Sequence, residues 1–123
     1  MSAGPATVLL VDDEVRILSA LRRVLRREGY RLLTAETPEQ ALRILDEQAV
    51  DVILTDQKMP GMSGLQLLAE AARRRPGARR LLITGWTEEV PREQMEALGI
   101  RAMIPKPWDD AELKATLRAQ LSS

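Results

Sequence analysis

Acidic side chains follow two short apolar runs of the sequence, at the point where each run ends. Asp12 and Asp13 come directly after residues 7–11, and Asp56 lies just beyond residues 52–54. Consecutive apolar residues are typical of strands that are buried on both faces, as in a parallel sheet. Open α/β sheets bind their ligands beyond the carboxyl ends of their strands. Asp56 is therefore a candidate nucleophile or metal ligand, although such a residue standing alone more often only forms a turn.

Two further polar side chains are predicted at the same edge of the sheet. Thr84 closes the apolar run 80–84, and Lys106 follows the run 100–104. Right-handed crossovers bring the carboxyl ends of all these parallel strands together. Three carboxylates there would repel one another unless a cation lay among them, and hard oxygen ligands suit Mg²⁺ or Mn²⁺. A hydroxyl and a lysine beside a carboxylate match the needs of phosphoryl transfer to an aspartate, because both can bind the transferring oxygens.

Composition narrows the chemistry that the chain can perform. Its 123 residues include no Cys and no His, which excludes disulfides, thiolate or imidazole metal sites and a histidine general base. The formal net charge is zero, which argues against a direct nucleic-acid binder. No apolar run reaches the length of a membrane span, and no signal pattern opens the chain. We therefore expect a soluble cytoplasmic protein that does not bind a membrane.

Strands and helices are predicted to alternate along the chain. Apolar runs without helical spacing predict the strands 7–11, 31–35, 52–56, 80–84 and 100–104. Helical spacing and capping residues predict helices at 14–28, from Pro38, from Ser63 or Gly64, at 91–98 and from Trp108. This alternation predicts an α/β fold with a parallel sheet and helices on both faces.

The sequence resembles the receiver domain of two-component response regulators over essentially its whole length. The segments that carry the resemblance are LLVDDE at 9–14, TDQKMPGMSG at 55–64, ITG at 83–85 and KP at 106–107. The order and spacing of these segments are more specific than any one of them. The resemblance implies a flavodoxin-like (βα)5 three-layer sandwich with strand order 2-1-3-4-5. From the length of the chain and the small, Pro/Gly-containing start, we expect residues 1–123 to form one domain with a loose N-terminus at 1–6 and no output domain in this chain.

The resemblance further implies roles for the residues at the sheet edge. Asp56 would accept a phosphoryl group from a sensor histidine kinase or a phosphotransfer protein. Asp13 and Asp56, with the backbone carbonyl of Lys58, would hold Mg²⁺, and Asp12 would act on the ion through a water. Such a domain is a phosphoacceptor that assists its own phosphorylation and dephosphorylation, not an enzyme with external turnover.

The remaining implied roles concern the phosphoryl group and the switch. Thr84 and Lys106 would bind the phosphoryl oxygens, and the Lys106–Pro107 bond would be cis, which is affordable only before Pro. Receivers usually carry Tyr or Phe three residues before the Lys as a rotameric switch, but Met103 occupies that position here. We expect Met103 to refill the space behind Thr84. The signal would pass to an output domain or partner protein, with a possible homodimer through the fourth helix, fifth strand and fifth helix.

Three more positions are assigned to partners or to the lifetime of the signal. On the first helix, Leu18 is apolar where solvent is expected, beside Val15 and Arg22, so it is a candidate contact for the kinase. The resemblance implies that Lys58 and Trp86 frame the path of the water that hydrolyses the phosphoryl group. Because neither can orient that water as an acceptor, we predict slow self-dephosphorylation.

Two other interpretations remain open on the sequence. A haloacid-dehalogenase-like phosphatase also uses an aspartate nucleophile, and Asp12 and Glu14 offer its two-residue spacing. No segment is long enough for the cap that such a phosphatase needs to exclude water. A degenerate receiver would act only as an interaction module, but the complete set of acids, Thr84 and Lys106 argues against it.

Overall fold

A computed structural model describes residues 4–85 and 90–122 of the chain. Five parallel strands form one sheet in the order β2-β1-β3-β4-β5, which confirms the predicted flavodoxin-like fold. The strands are β1 Thr7–Val11, β2 Arg31–Ala35, β3 Val52–Asp56, β4 Arg79–Gly85 and β5 Ile100–Lys106. The helices are α1 Val15–Leu25, α2 Pro38–Glu47, α3 Gly64–Arg74, α4 Arg92–Ala97 and α5 Asp110–Leu121.

Hydrophobic cores lie on both faces of the sheet, because successive strand side chains point to opposite faces. Leu9 and Ile53 pack with α2 and α3 on one face. Leu10 and Leu54 pack with α1 and α5 on the other. Strands β1 and β3 are buried along their whole length. This double coverage explains why their sequences are continuously apolar.

The ends of several elements differ slightly from the prediction. Strand β4 extends the predicted strand by one residue at each end, to Arg79–Gly85, and β5 continues to Lys106, so Lys106 belongs to the sheet and not to the loop after it. Helix α1 stops at Leu25, and a 3₁₀ turn at Arg26–Glu28 leads to Gly29 with φ 89°. Ser63 caps α3 in a reciprocal capping box with Gln66. The Lys106–Pro107 peptide bond is cis, as the resemblance implied.

The prediction that Leu18 is solvent-exposed is wrong. Its side chain is only 4% exposed and belongs to the core between the sheet, α1 and α5. The exposed apolar residue of this helix is Val15, which is 54% exposed. Helix α1 therefore turns Leu18 toward the core and not toward solvent, and Leu18, Leu21 and Leu25 are its buried residues.

Among the described residues, no helix combines the length and the apolar character that crossing a membrane requires.

Candidate functional site

Three acidic residues meet at the carboxyl edge of the sheet. Asp12 and Asp13 follow β1, and Asp56 is the last residue of β3, the strand that pairs with β1. One carboxylate oxygen of each residue lies within 4.8 Å of the others. Asp12 and Asp56 are buried, whereas Asp13 is exposed. The sheet therefore assembles the acidic cluster that the sequence predicted.

Lys106 joins this cluster directly. Its Nζ lies 3.0 Å from Asp12 Oδ2 and 3.3 Å from Asp56 Oδ1, and its side chain is 19% exposed. It bridges these two acids, because β5 extends to Lys106 and brings the base of its side chain to the sheet edge.

The charges of the site perturb one another. Burial raises the pKa of Asp56, and the negative charge of Asp12 raises it further, against the opposing effect of Lys106. Burial by itself would lower the pKa of Lys106, but its close contact with Asp12 and the charge of Asp56 outweigh this and raise it. The cluster thus stabilises the charged form of Lys106. It destabilises the ionised form of Asp56.

The donor set fits a hard divalent cation. Asp12 Oδ1 accepts a hydrogen bond from the Glu14 amide at 2.8 Å. Asp12 Oδ2 is buried and lies 3.0 Å from Lys106 Nζ, a distance typical of a charge-assisted contact. Carboxylate oxygens of Asp12, Asp13 and Asp56 meet within 4.8 Å of one another, and such a set of oxygen donors is the ligand chemistry that Mg²⁺ prefers.

Thr84 lies at the same edge as the acidic cluster. It is 5% exposed and pairs with Pro105 in the register of β4 and β5. Ile83, its neighbour in β4, pairs with Asp56 in β3. Thr84 is therefore one residue beyond Asp56 along adjacent strands, at the edge of the sheet where the acidic cluster lies.

The loop between β3 and α3 holds Asp56 through contacts that the sequence analysis did not single out. The Gln57 amide donates to Asp56 Oδ1 at 2.9 Å. The Gln57 carbonyl accepts from the Gly64 amide, and its side-chain Oε1 accepts from the Leu65 amide, both at 2.9 Å. A Cβ at Gly64 would collide with the Asp56 carbonyl and lie 2.9 Å from Gln57 Cα. In the sequence, Gly64 at the end of the PGMSG stretch was the signal for this close approach, because glycine has no Cβ.

The other residues considered lie on β5, in the β3–α3 loop, just before α5, or outside the described part of the chain. Met103 is 39% exposed on β5, and its refilling of the space behind Thr84 stays a prediction. Lys58 is exposed in the β3–α3 loop. Trp108 packs against the core between α1 and α5 and donates to Asp110 Oδ1 at 3.0 Å. Trp86 lies outside the described residues, so its part in covering the site stays a prediction.

Comparison with known proteins identifies the family. The model of the response regulator receiver domain matches residues 8–118. The hydrogenase transcriptional regulatory protein HoxA of Cupriavidus necator is 44% identical over 120 residues, which are 96% of this chain and 24% of HoxA. The transcriptional regulatory protein CpxR of Escherichia coli K12 is 36% identical over 114 residues, which are 93% of this chain and 48% of CpxR. The chain thus spans about a quarter to a half of these relatives.

A solved structure gives the same result. The signal receiver domain of an HD domain-containing protein from Pseudomonas fluorescens Pf-5 superposes with a TM-score of 0.90 and 34% identity, over 96% of this chain and 95% of that one. The chain belongs to the response regulator receiver domain family.

Proposed function

We propose that this receiver domain accepts a phosphoryl group on Asp56 from a sensor histidine kinase or a phosphotransfer protein. The observation that carries the proposal is the contact of Lys106 Nζ with both Asp12 and Asp56, inside a cluster of three carboxylates. The lysine and the cation site both lie beside the Asp56 carboxylate. Their positive charges can neutralise the oxygens of a phosphoryl group during its transfer.

In the proposed reaction, an Asp56 oxygen attacks phosphorus while the bond from phosphorus to the donor nitrogen breaks, and its electron pair leaves with the imidazole. Asp56 Oδ1 already accepts from the Gln57 amide and contacts Lys106, so the other carboxylate oxygen is the attacking atom. Lys106 then binds an oxygen of the transferred group, and the Thr84 hydroxyl donates to another. Both residues reach the group from strand ends, which hold them rigidly.

Asp13 and Asp56, with the Lys58 backbone carbonyl, would hold Mg²⁺ or Mn²⁺, and Asp12 would act on the ion through a water. When bound, the cation neutralises the phosphoryl oxygens during transfer. The meeting of carboxylate oxygens from Asp12, Asp13 and Asp56 within 4.8 Å supports the assignment.

The phosphorylated domain would change conformation and act on an output domain or a partner protein in the cytoplasm. HoxA and CpxR are named as transcriptional regulators, which supports a regulatory role over an enzymatic one. A homodimer through α4, β5 and α5 is one route for the signal. The exposure of Met103 on this face supports it, because an apolar side chain of that size favours contact with another surface.

Incubation with acetyl phosphate and Mg²⁺ tests the proposal. We expect one phosphoryl group per chain by intact-protein mass spectrometry, and none on Asp56→Asn. Asp46→Asn is the matched control, because Asp46 is an exposed carboxylate that pairs with Arg74 on another part of the surface. Labelling of Asp56→Asn at another residue would contradict the assignment. Rapid turnover of many phosphate esters per chain would instead favour the phosphatase interpretation.

A further inference from the structure

Helix α3 begins with backbone amides that need acceptors from outside the helical ladder, because an α-helix offers its first N–H groups no partner of its own. The Gly64 amide donates to the Gln57 carbonyl, and the Leu65 amide donates to Gln57 Oε1, both at 2.9 Å. The next amide, that of Gln66, donates to Ser63 Oγ at 3.1 Å. Gln57 therefore holds two of these three amides, although it belongs to the β3–α3 loop and not to the helix.

Gln57 also contacts the residue that is proposed to accept the phosphoryl group. Its own amide donates to Asp56 Oδ1 at 2.9 Å. The two backbone segments approach so closely here that a Cβ on Gly64 would lie 2.9 Å from Gln57 Cα. Gln57 thus closes the loop 58–63, because it contacts the end of β3 on one side and the start of α3 on the other.

Lys58, whose carbonyl is the expected metal ligand, lies between two anchored residues of this loop. Gln57 precedes it, and Met59 follows it with its sulfur 3.9 Å from Thr55 Oγ1 and its side chain packed against the core. Lys58 is itself exposed, so the direction of its carbonyl depends on the neighbours that are held. Groups that hold a metal ligand in place contribute to metal affinity even though they do not bind the ion.

A second glutamine at the same helix end makes a hydrogen bond of the same kind. Gln66 Oε1 accepts from the Ser63 amide at 2.9 Å, as part of the capping box. Each glutamine side chain thus offers an acceptor to one backbone amide. Gln66 connects α3 to its own N-cap residue, whereas Gln57 connects α3 to the end of β3. A purely capping role for Gln57 would make the two side chains equivalent.

We propose that the Gln57 side chain is a positioning residue for the metal site. Its hydrogen bond to the Leu65 amide holds the loop in the conformation that presents the Lys58 carbonyl, and this strengthens the binding of Mg²⁺. Gln57 acts through the loop and not by touching the ion. This role rests on the proposed function, in which the Lys58 carbonyl is a ligand of the cation.

Gln57→Met removes the side-chain acceptor, keeps an unbranched side chain of similar length and leaves the backbone contacts of this position in place. Urea titrations in chelator and at increasing MgCl₂ give the stability without metal and the apparent Kd for Mg²⁺. Gln57→Met and Gln66→Met should lower the urea midpoint in chelator by similar amounts, because each loses one hydrogen bond at the same helix end. Gln57→Met should raise the Kd at least about tenfold, whereas Gln66→Met should bind Mg²⁺ like the parent.

Acetyl phosphate labelling separates positioning of the metal from a direct part in phosphoryl transfer. Gln57→Met should need about tenfold more Mg²⁺ for its half-maximal labelling rate and should reach the parent rate at saturating Mg²⁺. Gln57→Glu keeps an oxygen that can accept from the Leu65 amide. It should restore slow hydrogen exchange of that amide, measured by NMR, together with Mg²⁺ binding at least as tight as that of the parent.

The same measurements include results that would overturn the role of Gln57. Equal Mg²⁺ binding by Gln57→Met and Gln66→Met, in a parent chain that is labelled, would reduce Gln57 to a helix cap and leave the proposed function intact. A Gln57→Met rate that stays low at saturating Mg²⁺ would assign the side chain to the transfer step instead. A parent chain that binds no Mg²⁺ and takes no phosphoryl group would overturn the proposed function and the positioning role with it. Circular dichroism of each variant establishes that it is folded.

Discussion

Asp56 occupies a position in which its own charge is unfavourable, and this property can be measured without any phosphoryl donor. Burial and the neighbouring Asp12 raise the pKa of Asp56, and Lys106 only partly opposes them. The folded chain therefore binds a proton on Asp56 more tightly than the unfolded chain does. The free energy of unfolding then falls as pH rises from the unfolded-state pKa through the higher folded-state value, and it stays reduced above that value.

We predict that Asp56→Asn is more stable than the parent near neutral pH in the presence of chelator. The difference in the free energy of unfolding should shrink as pH falls toward the unfolded-state pKa of about 3.9, where the parent also becomes neutral. Urea titrations across this range measure it. Added Mg²⁺ should reduce the difference, because ligand binding stabilises only the parent. A variant that is less stable at neutral pH would mean that the Lys106 contact outweighs burial and repulsion.

At the scale of elements, the approach of α3 to the end of β3 determines how Asp56 is held. We predict that Gly64→Ala lowers the free energy of unfolding by about 1–3 kcal/mol, because the added methyl group meets backbone atoms that cannot move aside. It should also slow acetyl phosphate labelling, since the displaced backbone carries Asp56 and Gln57. Chemical denaturation and labelling rates give the two readouts.

Gly77→Ala is the matched control for this change. A Cβ at Gly77 meets nothing within 4 Å, and the residue is exposed in the turn after α3. Its stability should stay the same or rise by about 0.4–1 kcal/mol, because alanine reduces the entropy of the unfolded chain. Equal destabilisation by both variants would mean that the close approach at Gly64 is not the cause.

Because Leu18 is buried and Val15 is exposed on α1, the candidate residue for kinase contact is now Val15. Leu18→Ala should cost about 2–5 kcal/mol of stability, because it removes buried contacts. Val15→Asp should change stability by less than about 0.5 kcal/mol, because Val15 is mostly exposed. It should nevertheless slow phosphotransfer from the kinase and leave acetyl phosphate labelling unchanged. A Val15→Asp protein that is slower with both donors would place Val15 outside the kinase contact.

At the scale of the whole molecule, β4 connects the site to α4. Thr84 lies near its carboxyl end, while Arg80 near its other end donates to the Leu98 carbonyl at the end of α4. Phosphorylation should draw Thr84 inward, because its hydroxyl gains a charged acceptor. The change should therefore reach α4 and β5, including Met103.

We predict that beryllofluoride, as a mimic of the phosphoryl group, alters amide hydrogen exchange from Trp86 to Met103 and at the start of α5. Mass spectrometry of peptides with and without the mimic locates these changes. Asp56→Asn should show none of them. Changes confined to α2 would contradict this route through the molecule.

The acidic cluster, Thr84 and Lys106 could be predicted from the sequence because the order of strands and helices carries most of the geometry. Continuous apolar runs mark strands that are buried on both faces, and parallel strands present their carboxyl ends at one edge. Asp12, Asp56 and Lys106 each follow or end such a run. Whether these side chains come together therefore depends only on the register of adjacent strands, which short loops and right-handed crossovers determine.

The burial of Leu18, the orientation of Trp108 and the closeness of Gly64 to Asp56 depended on the tertiary structure. Helix α1 packs against both the sheet and α5, so its apolar stripe is broad, and the sequence cannot show which position lies at its centre. Trp108 follows Lys106 by only two residues but faces the α1–α5 core, since its direction depends on how α5 docks. Gly64 reveals its role only when α3 meets the end of β3. Periodicity gives the face of each element, whereas packing against its neighbours decides which side chains touch.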